Sequence, residues 1–515
     1  MSRDARNLTT MPNDGDLEKS PASQPMTPAI SQAPSHTSTL IGTNAGALVG
    51  DEKGKDKEVF LDQSEDPKRL PKARKWLSLF IICTAAICVT CDSSAAGFTE
   101  KGLQESFGIS HEVAILSISL FIAGLGIGPL LLGPMSEYFG RSRVYIASYF
   151  FLFVLTFGVA FAPNAPVHFV FRFISGFSGS AFLSVAGGSV TDLFADHEVA
   201  IPMAMYSLSP FLGPIIGPLF SGFINQNTTW RWTYYALLIW QAVEFICLAT
   251  MVPETYEPVL RQRKAAKIRK ETGDQGYYAP LDNRGRSVLQ AVIISCYKPF
   301  EILAFEPMAL LLDIWSALLL GILYLTFQAF PIIFEQVHGF NEQSTGLTFL
   351  GMGIGMVGTI ATQPFFRKIQ RKRAEKYDGK PPPETRLIVG FVGAILVPIS
   401  LFWLAFTTYK KVHWIVPIIA SIPFGSGIVF VYTAVFTYLV VAYRMYAASA
   451  MAGNSFLRSS FAAVFPLFAT PMFDRLGTVG AVALLAGLST IMAPLPFLFF
   501  KYGARLRQHS RFASS

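Results

Sequence analysis

Twelve apolar runs of about 20 residues dominate this sequence. Each run is long enough to cross the roughly 30 Å hydrocarbon core of a bilayer as a helix. Only 15% of the residues are charged, against about 25% in soluble domains, which excludes whole-chain disorder and nucleic-acid binding. Because backbone polar groups in hydrocarbon must be satisfied within each segment, we predict an all-α membrane protein. The predicted spans are 76–96, 112–135, 144–162, 167–191, 200–224, 231–252, 306–333, 344–366, 386–407, 413–440, 446–473 and 478–500.

A polar stretch divides these spans into two sets of six. The predicted order is a disordered N-terminal tail over 1–75, a six-helix bundle over 76–252, a central loop over 253–305, a second six-helix bundle over 306–500 and a C-terminal tail over 501–515. The N-terminal tail is rich in Ser, Thr, Pro, Asp and Lys and has no apolar periodicity. Neither that tail nor the central loop is expected to hold an enzyme core, so we predict no enzymatic activity.

Lysine and arginine are concentrated in alternate loops. They cluster before span 1, in the central loop and after span 8, whereas the opposite loops hold little more than Lys101, Arg231, Lys410 and Lys411. Basic residues collect on the cytoplasmic side of membrane proteins, so we predict that both termini are cytoplasmic. The five cysteines show neither a disulfide framework nor zinc-ligand spacing, and we expect no metal and no cofactor.

The loop between spans 2 and 3 combines a tight turn with charged residues. Its main positions are Gly133, Glu137, Gly140, Arg141 and Arg143. This stretch resembles motif A of the major facilitator superfamily, in which a charge relay latches one conformation. It departs from the family in having Glu137 where Asp is usual and in lacking two common basic residues. The alternative interpretation is a basic membrane anchor at a helix-terminating turn.

Spans 4 and 5 carry two further patterns of the same superfamily. The stretch that begins at Arg172 resembles motif B, whose arginine is associated with proton coupling. Span 5 resembles motif C, which is associated with antiporters, at Pro210, Gly213, Pro214, Gly217 and Pro218. Small residues and prolines at such spacings permit close helix packing and bending, and packing alone is the alternative interpretation of span 5.

The loop after span 6, which begins Pro253-Glu254-Thr255, is similar to that of fungal twelve-span drug:proton antiporters. That group includes multidrug, polyamine and secondary-metabolite exporters, and the resemblance runs from about residue 76 to 515. It implies a major facilitator fold with two pseudo-symmetric halves, in which spans 1, 4, 7 and 10 line a central cavity. It also implies alternating access driven by a proton gradient, without an ATP site.

Four of the charged residues inside predicted spans, where a charge is costly unless it is paired or hydrated, are singled out for proton coupling. They are the proton-coupling candidates Asp92, Arg172, Asp313 and Arg458. Asp92 and Arg172 are predicted at comparable depth, so we expect them to pair and hypothesise that protonation of Asp92 releases Arg172. The alternative is that span 1 simply ends in water at Asp92. Asp313 is either a proton or cation site or a structural hydrogen-bonding group. Arg458 is its possible partner, while Asn454, one turn earlier on span 11, could equally serve local packing.

Candidate residues of the substrate cavity are chosen from the spans that the resemblance places around it. They are Phe182, Ser316, Tyr324, Phe327, Gln328, Tyr432 and Phe436. Those of span 7 recur at steps of three or four and therefore share one helical face. Aromatic rings suit a planar or amphipathic solute better than a sugar, although many aromatic residues of membrane proteins face lipid.

The sequence therefore predicts a proton-coupled efflux transporter of the plasma membrane, with the vacuolar membrane as an alternative location. The predicted cargo is a hydrophobic, aromatic toxin, drug or secondary metabolite. One alternative is a polyamine:proton antiporter, in which Asp92, Asp313 and Glu244 would neutralise the cargo amines. A second is a non-transporting membrane sensor on the same scaffold. The expected partners are protons, a small hydrophobic or cationic solute and the lipid bilayer, with no nucleic acid, and we expect a monomer.

Overall fold

The computed structural model describes residues 57–195, 198–282, 288–377, 382–508 and 510–512. Eleven helical stretches among these residues are long and apolar enough to cross a membrane. Spans 1 to 6 are Lys72–Phe98, His111–Phe139, Arg141–Ala160, Ala165–Leu193, Ile201–Asn227 and Arg231–Met251. Spans 7 to 10 are Pro307–Val337, Glu342–Arg373, Pro383–Ala405 and Ile415–Ala442, and the last stretch is Ala447–Gln508.

The last stretch supplies two crossings. Its 62 residues would measure roughly 90 Å as one straight helix, three times the thickness of the hydrocarbon core. The chain turns at Gly477, whose φ of 69° is left-handed. Beyond the turn it runs back along span 9, because Thr478 hydrogen-bonds Thr408 and Arg507 bonds Glu384 at the other end. Residues 447–476 are therefore span 11 and residues 478–508 span 12, which gives the twelve predicted crossings.

The surface of the spans is apolar where it would meet lipid. Ile239, Ile246, Ile354 and Ile491 are 60–71% exposed, which suits a hydrocarbon solvent. Inside the bundle the largest buried side chains are aromatic, and Trp315 of span 7 is 2% exposed. Span 7 is buried on nearly every face, so it forms the centre of the C-terminal half.

The end of the bundle that carries the central loop and the C-terminus is called the basic end below, and the other is called the opposite end. At the basic end the predicted domain boundaries need correction. Residues 1–56 lie outside the described residues, but strand Lys57–Glu58 pairs in parallel with strand Tyr277–Tyr278 of the central loop. Lys264 bonds Asp62 and Glu65, each at 2.7 Å. The prediction of a disordered tail as far as residue 75 is therefore wrong for its last part, because a distant partner orders it.

Two other predicted loop regions are also structured. The central loop contains the helices Glu257–Thr272 and Val288–Phe305. The predicted C-terminal tail begins inside the helix Leu495–Gln508. Beyond it, the buried carboxylate of Glu306 accepts hydrogen bonds from Ser510 Oγ at 2.7 Å and from the Arg511 backbone N–H at 3.0 Å. The tail is thus anchored to the start of span 7.

Candidate functional site

Asp92 and Arg172 form a buried ion pair between spans 1 and 4. Arg172 Nη1 lies 2.6 Å from Asp92 Oδ1, and the two side chains are 0% and 1% exposed. Arg172 also donates to the carbonyl oxygens of Asp92 at 3.1 Å and Ser117 at 2.8 Å. The expected contact is therefore present. The alternative, that span 1 ends in water at Asp92, is wrong because the carboxylate is enclosed by protein.

Two further groups complete the surroundings of this pair. Gln241 Nε2 of span 6 donates to Asp92 Oδ2 at 3.1 Å, and the guanidinium of Arg172 lies 4.3 Å from the ring centroid of Phe121. Both carboxylate oxygens are thus hydrogen-bonded in a low-dielectric site, where removal of one charge leaves the other uncompensated. Sequence reasoning missed Gln241, since a lone amide in an apolar span belongs to none of the motifs.

The ion pair lies next to the interface between the two halves. Ser93, the neighbour of Asp92, shares a 2.8 Å hydrogen bond with the hydroxyl of Tyr324 in span 7. Both groups are buried. This hydrogen bond links span 1, next to Asp92, directly to the C-terminal half.

Asp313 belongs to a separate hydrogen-bonded cluster in the C-terminal half. Asn454 Nδ2 donates to Asp313 Oδ1 at 2.9 Å and to Ser316 Oγ at 2.8 Å. The hydroxyl of Tyr432 donates to the Ser316 carbonyl at 2.6 Å. The expected pairing of Asp313 with Arg458 is therefore not formed among the described residues, and Asn454, which was considered only for local packing, is the hydrogen-bond partner of Asp313.

Arg458 lies one helical turn beyond Asn454 on span 11 and faces aromatic rings. Its guanidinium carbon is 5.5 Å from the centroid of Tyr432 and 5.4 Å from that of Phe436. Its Nε is buried and has no hydrogen-bond partner among the described residues. Tyr432 also packs on Phe211 of span 5, with centroids 4.7 Å apart. The aromatic surface at Arg458 therefore continues across the interface.

The structure separates the other predicted cavity residues into different sites. Phe182 stacks on Tyr145 of span 3, with ring centroids 4.9 Å apart, so it packs inside the N-terminal half. Phe327 packs on Phe349 of span 8 at 5.5 Å, and Gln328 bonds Glu100 at 2.6 Å. Their place in a substrate cavity stays a prediction, because sequence spacing gives the shared face of a helix but not the helix against which that face packs.

At the opposite end, polar contacts join the two halves. Glu100, just after span 1, is 5% exposed and accepts the hydrogen bond from Gln328 of span 7. Lys101 bonds Glu335 at 3.0 Å and Glu342 at 2.9 Å. Burial raises the pKa of Glu100 to about 8. Sequence reasoning included Lys101 only in the charge count and missed Glu100, which belongs to no motif.

At the basic end, the motif A residues bond mainly within the N-terminal half and the central loop. Gly140 has φ 96°, and the following Arg141 places its Nε 3.3 Å from Asp192 Oδ2. The backbone N–H of Arg141 donates to Glu254 Oε1 at 2.8 Å. Gly133 and the half-buried Glu137 lie inside the helix Leu116–Phe139, so the predicted turn is confined to Gly140, and Arg143 is exposed. The acidic partners of Arg141 thus come from span 4 and the central loop.

The motif C glycines allow span 5 to approach span 1 closely. A Cβ on Gly213 would lie 2.6 Å from the Cys91 nitrogen, and one on Gly217 would lie 2.9 Å from the Ala95 nitrogen. Pro210, Pro214 and Pro218 all lie inside the same helix. Across the interface, a Cβ on Gly346 of span 8 would lie 2.5 Å from the Pro218 carbonyl oxygen. This stretch of span 5 is therefore in close contact with both halves.

Comparison with known proteins gives a consistent family. The sequence model of the Major Facilitator Superfamily matches residues 82–466. The chain is 44% identical over 460 residues to "Efflux pump atB" of Aspergillus terreus, covering 88% of this chain and 89% of that protein. It is 41% identical over 464 residues to "Probable drug/proton antiporter YHK8" of Saccharomyces cerevisiae, with 88% and 89% covered.

A third relative carries the name of the same superfamily, and two solved structures share the fold. A multidrug transporter of this superfamily from Aspergillus fumigatus, mdrA, is 37% identical over 451 residues, with 87% of this chain and 74% of that protein covered. The fold matches the peptide transporter POT with a TM-score of 0.60 at 12% identity, covering 88% of this chain and all of that one. It matches the proton:xylose symporter XylE from E. coli, bound to a glucose analogue, with a TM-score of 0.59 at 15% identity and coverages of 84% and 96%.

Proposed function

This chain belongs to the Major Facilitator Superfamily, and from that premise we propose that it is a proton-driven exporter of small hydrophobic solutes. The proposal is supported by relatives at 37–44% identity that are named efflux pumps, a multidrug transporter and a drug/proton antiporter. Those relatives align over most of their own length. The protein would act as a monomer in the plasma membrane, with the basic end in the cytoplasm.

The observation that carries the coupling mechanism is the buried Asp92–Arg172 pair. A proton that binds Asp92 turns the carboxylate into a neutral acid and leaves the Arg172 charge with two carbonyl oxygens and the Phe121 ring as partners. The buried Arg172 charge then lacks its counter-charge. This favours a rearrangement of span 1 relative to span 4. Because Ser93 bonds Tyr324, that rearrangement would act on the interface and alter access to the cavity.

The contacts at the opposite end support the assignment of this conformation as inward-facing. Lys101 and Glu100 hold the halves together there, whereas Arg141 at the basic end bonds within the N-terminal half and the central loop. With the basic end in the cytoplasm, this would be an inward-facing arrangement. A cargo from the cytoplasm would bind first, and proton binding from outside would reset the transporter after release.

An aromatic cargo fits the interface better than a polyamine. Tyr432, Phe436 and Phe211 form a continuous aromatic surface between the halves. The carboxylates proposed for amine binding are engaged elsewhere, since Asp92 pairs with Arg172 and Asp313 accepts from Asn454. Glu244 accepts from Thr84 at 2.9 Å between spans 1 and 6 of the N-terminal half.

Transport by reconstituted protein tests this proposal. Proteoliposomes with a trapped pH dye would be given an imposed pH difference and either rhodamine 6G or spermidine. We expect movement of the aromatic dye with counterflow of protons in the wild type. Asp92→Asn should reduce proton-driven transport at least about tenfold while leaving dye binding intact. Asp474→Asn, an exposed carboxylate near the end of span 11, is the matched control and should behave as the wild type.

Three results would contradict the proposal. Full proton-driven transport by Asp92→Asn would remove Asp92 from the coupling step. Movement of spermidine but not of the dye would favour the polyamine alternative. The absence of proton flux in the wild type with the dye, with spermidine and with an aromatic acid such as 2-naphthoate would favour a sensor without transport.

A further inference from the structure

Arg458 is a partly exposed arginine of span 11 whose ion pairing differs from that of Arg172 and Arg507. Arg172 pairs with Asp92, and Arg507 pairs with Glu384 at 2.7 Å. In the described part of the chain, no carboxylate oxygen lies within 4 Å of the guanidinium nitrogens of Arg458. An unpaired charge within a span carries a desolvation cost, so a functional use of this charge must compensate for it.

The guanidinium lies where a cargo between the two halves would pass. Arg458 is roughly 16 Å from the start of span 11, and the next residue, Ser459, packs against span 2 of the other half at Gly126. Tyr432, whose ring lies beside the guanidinium, packs on Phe211 of span 5 in the N-terminal half. The site is therefore surrounded by residues of both halves, as a transported ligand requires.

Asp313 does not neutralise Arg458 in this arrangement. Its Oδ1 accepts a hydrogen bond from Asn454, and the Asn454 amide also donates to Ser316. The guanidinium consequently keeps free donor capacity, including the buried and unpartnered Nε.

The chemistry of the site indicates the class of ligand. A planar guanidinium binds a carboxylate through parallel charge-assisted hydrogen bonds. The rings of Tyr432 and Phe436, next to it at 5.5 and 5.4 Å, offer an apolar surface to a flat ligand. Resting on the export function proposed above, we propose that Arg458 recognises an anionic cargo, an aromatic acid whose carboxylate binds the guanidinium while its ring packs on Tyr432 and Phe436.

The test compares acids with their neutral amides in equilibrium binding. Purified protein would be titrated with three pairs of probes: benzoate and benzamide, 2-naphthoate and 2-naphthamide, and indole-3-acetate and its amide. Binding would be measured by the shift in unfolding temperature and by calorimetry at pH 7. The proteins are the wild type, Arg458→Gln, Arg458→Lys and the control Arg475→Gln, which changes an exposed arginine of the same span.

We expect at least one acid to bind the wild type about tenfold or more tightly than its amide. Arg458→Gln should abolish that preference without changing the affinity for the amide, which also shows that the variant is folded. Arg458→Lys should retain part of the preference because it keeps the charge, and Arg475→Gln should retain all of it.

The proposal is overturned if no acid of the set binds better than its amide, or if Arg458→Gln keeps the preference. Because binding is measured without a gradient, its outcome is separate from that of the transport test. A protein that discriminates acids through Arg458 but moves no protons would refute the coupled export and keep this inference. A protein that exports neutral aromatic solutes but does not bind the acids would refute this inference and keep the coupled export.

Discussion

The contact between Glu100 and Gln328 makes closure of the opposite end depend on pH. Glu100 lies outside the spans, is 5% exposed and accepts a 2.6 Å hydrogen bond from Gln328 of the other half. Other ionisable groups near it are His111, whose Nδ1 lies 3.7 Å from the carboxyl, and the neighbouring Lys101, which bonds two carboxylates of the C-terminal half. Opening of this end would expose the Glu100 carboxyl to water.

The magnitude follows from the change in pKa on opening. Burial raises the pKa of Glu100 from 4.5 to about 8 in the closed arrangement, whereas a hydrated carboxyl has its ordinary value. Protonation of Glu100 therefore stabilises the closed arrangement relative to the open one. This stabilisation is complete below about pH 4.5 and is lost as the pH rises toward 8. At 1.36 kcal/mol per pKa unit, closure is about 3 to 4 kcal/mol less favourable at pH 8 than at pH 5, which is a few hundredfold in the equilibrium.

Distance measurements between spin labels can test this prediction. Labels at Asn227 and Lys411, exposed positions of the two halves at the opposite end, would be introduced after replacement of the native cysteines. We expect the population with a long distance to grow from pH 5 to pH 8 in the parent protein. Glu100→Gln, which keeps an amide for Gln328 but cannot ionise, should remove most of that growth. Glu105→Gln changes an exposed carboxyl of the same short helix and should leave that growth unchanged.

The reasoning about Glu100 is refuted if the distances do not change with pH, or if they change equally in Glu100→Gln. His111→Gln in the same background identifies any part of the change that belongs to the imidazole. A residual pH dependence that disappears only in that variant would assign the effect to His111 and not to Glu100.

Two further predictions concern stability and are measured by thermal unfolding in detergent. Arg172→Gln should destabilise the protein by about 3–5 kcal/mol, because it leaves a buried carboxylate without its partner, and the added change Asp92→Asn should recover most of that loss. A smaller recovery than 1 kcal/mol would contradict the pairing argument. Gly217→Ala should cost about 1–3 kcal/mol through overpacking, since its Cβ would lie 2.9 Å from the Ala95 nitrogen. Gly358→Ala, whose Cβ would meet no atom within 4 Å, is the control, and equal effects would rule out the packing explanation.

The number and lengths of the spans could be predicted from the sequence because a bilayer acts on each segment separately. A run of apolar residues long enough to cross hydrocarbon is stabilised as a helix whatever its neighbours are. Depth along a helix is also a local quantity, since each residue adds 1.5 Å. Comparison of depths therefore predicted the contact between Asp92 and Arg172, which the structure contains.

The tertiary structure decided which partner each side chain meets, because depth does not give the rotation of a helix about its axis. Asp313 was expected to meet Arg458 of span 11 but bonds Asn454, while Phe182 turns toward span 3. The pairing of Lys57–Glu58 with Tyr277–Tyr278 joins segments more than 200 residues apart, which no local pattern encodes. Burial of Glu100 likewise exists only where the two halves meet, so it depends on packing that hydropathy does not describe.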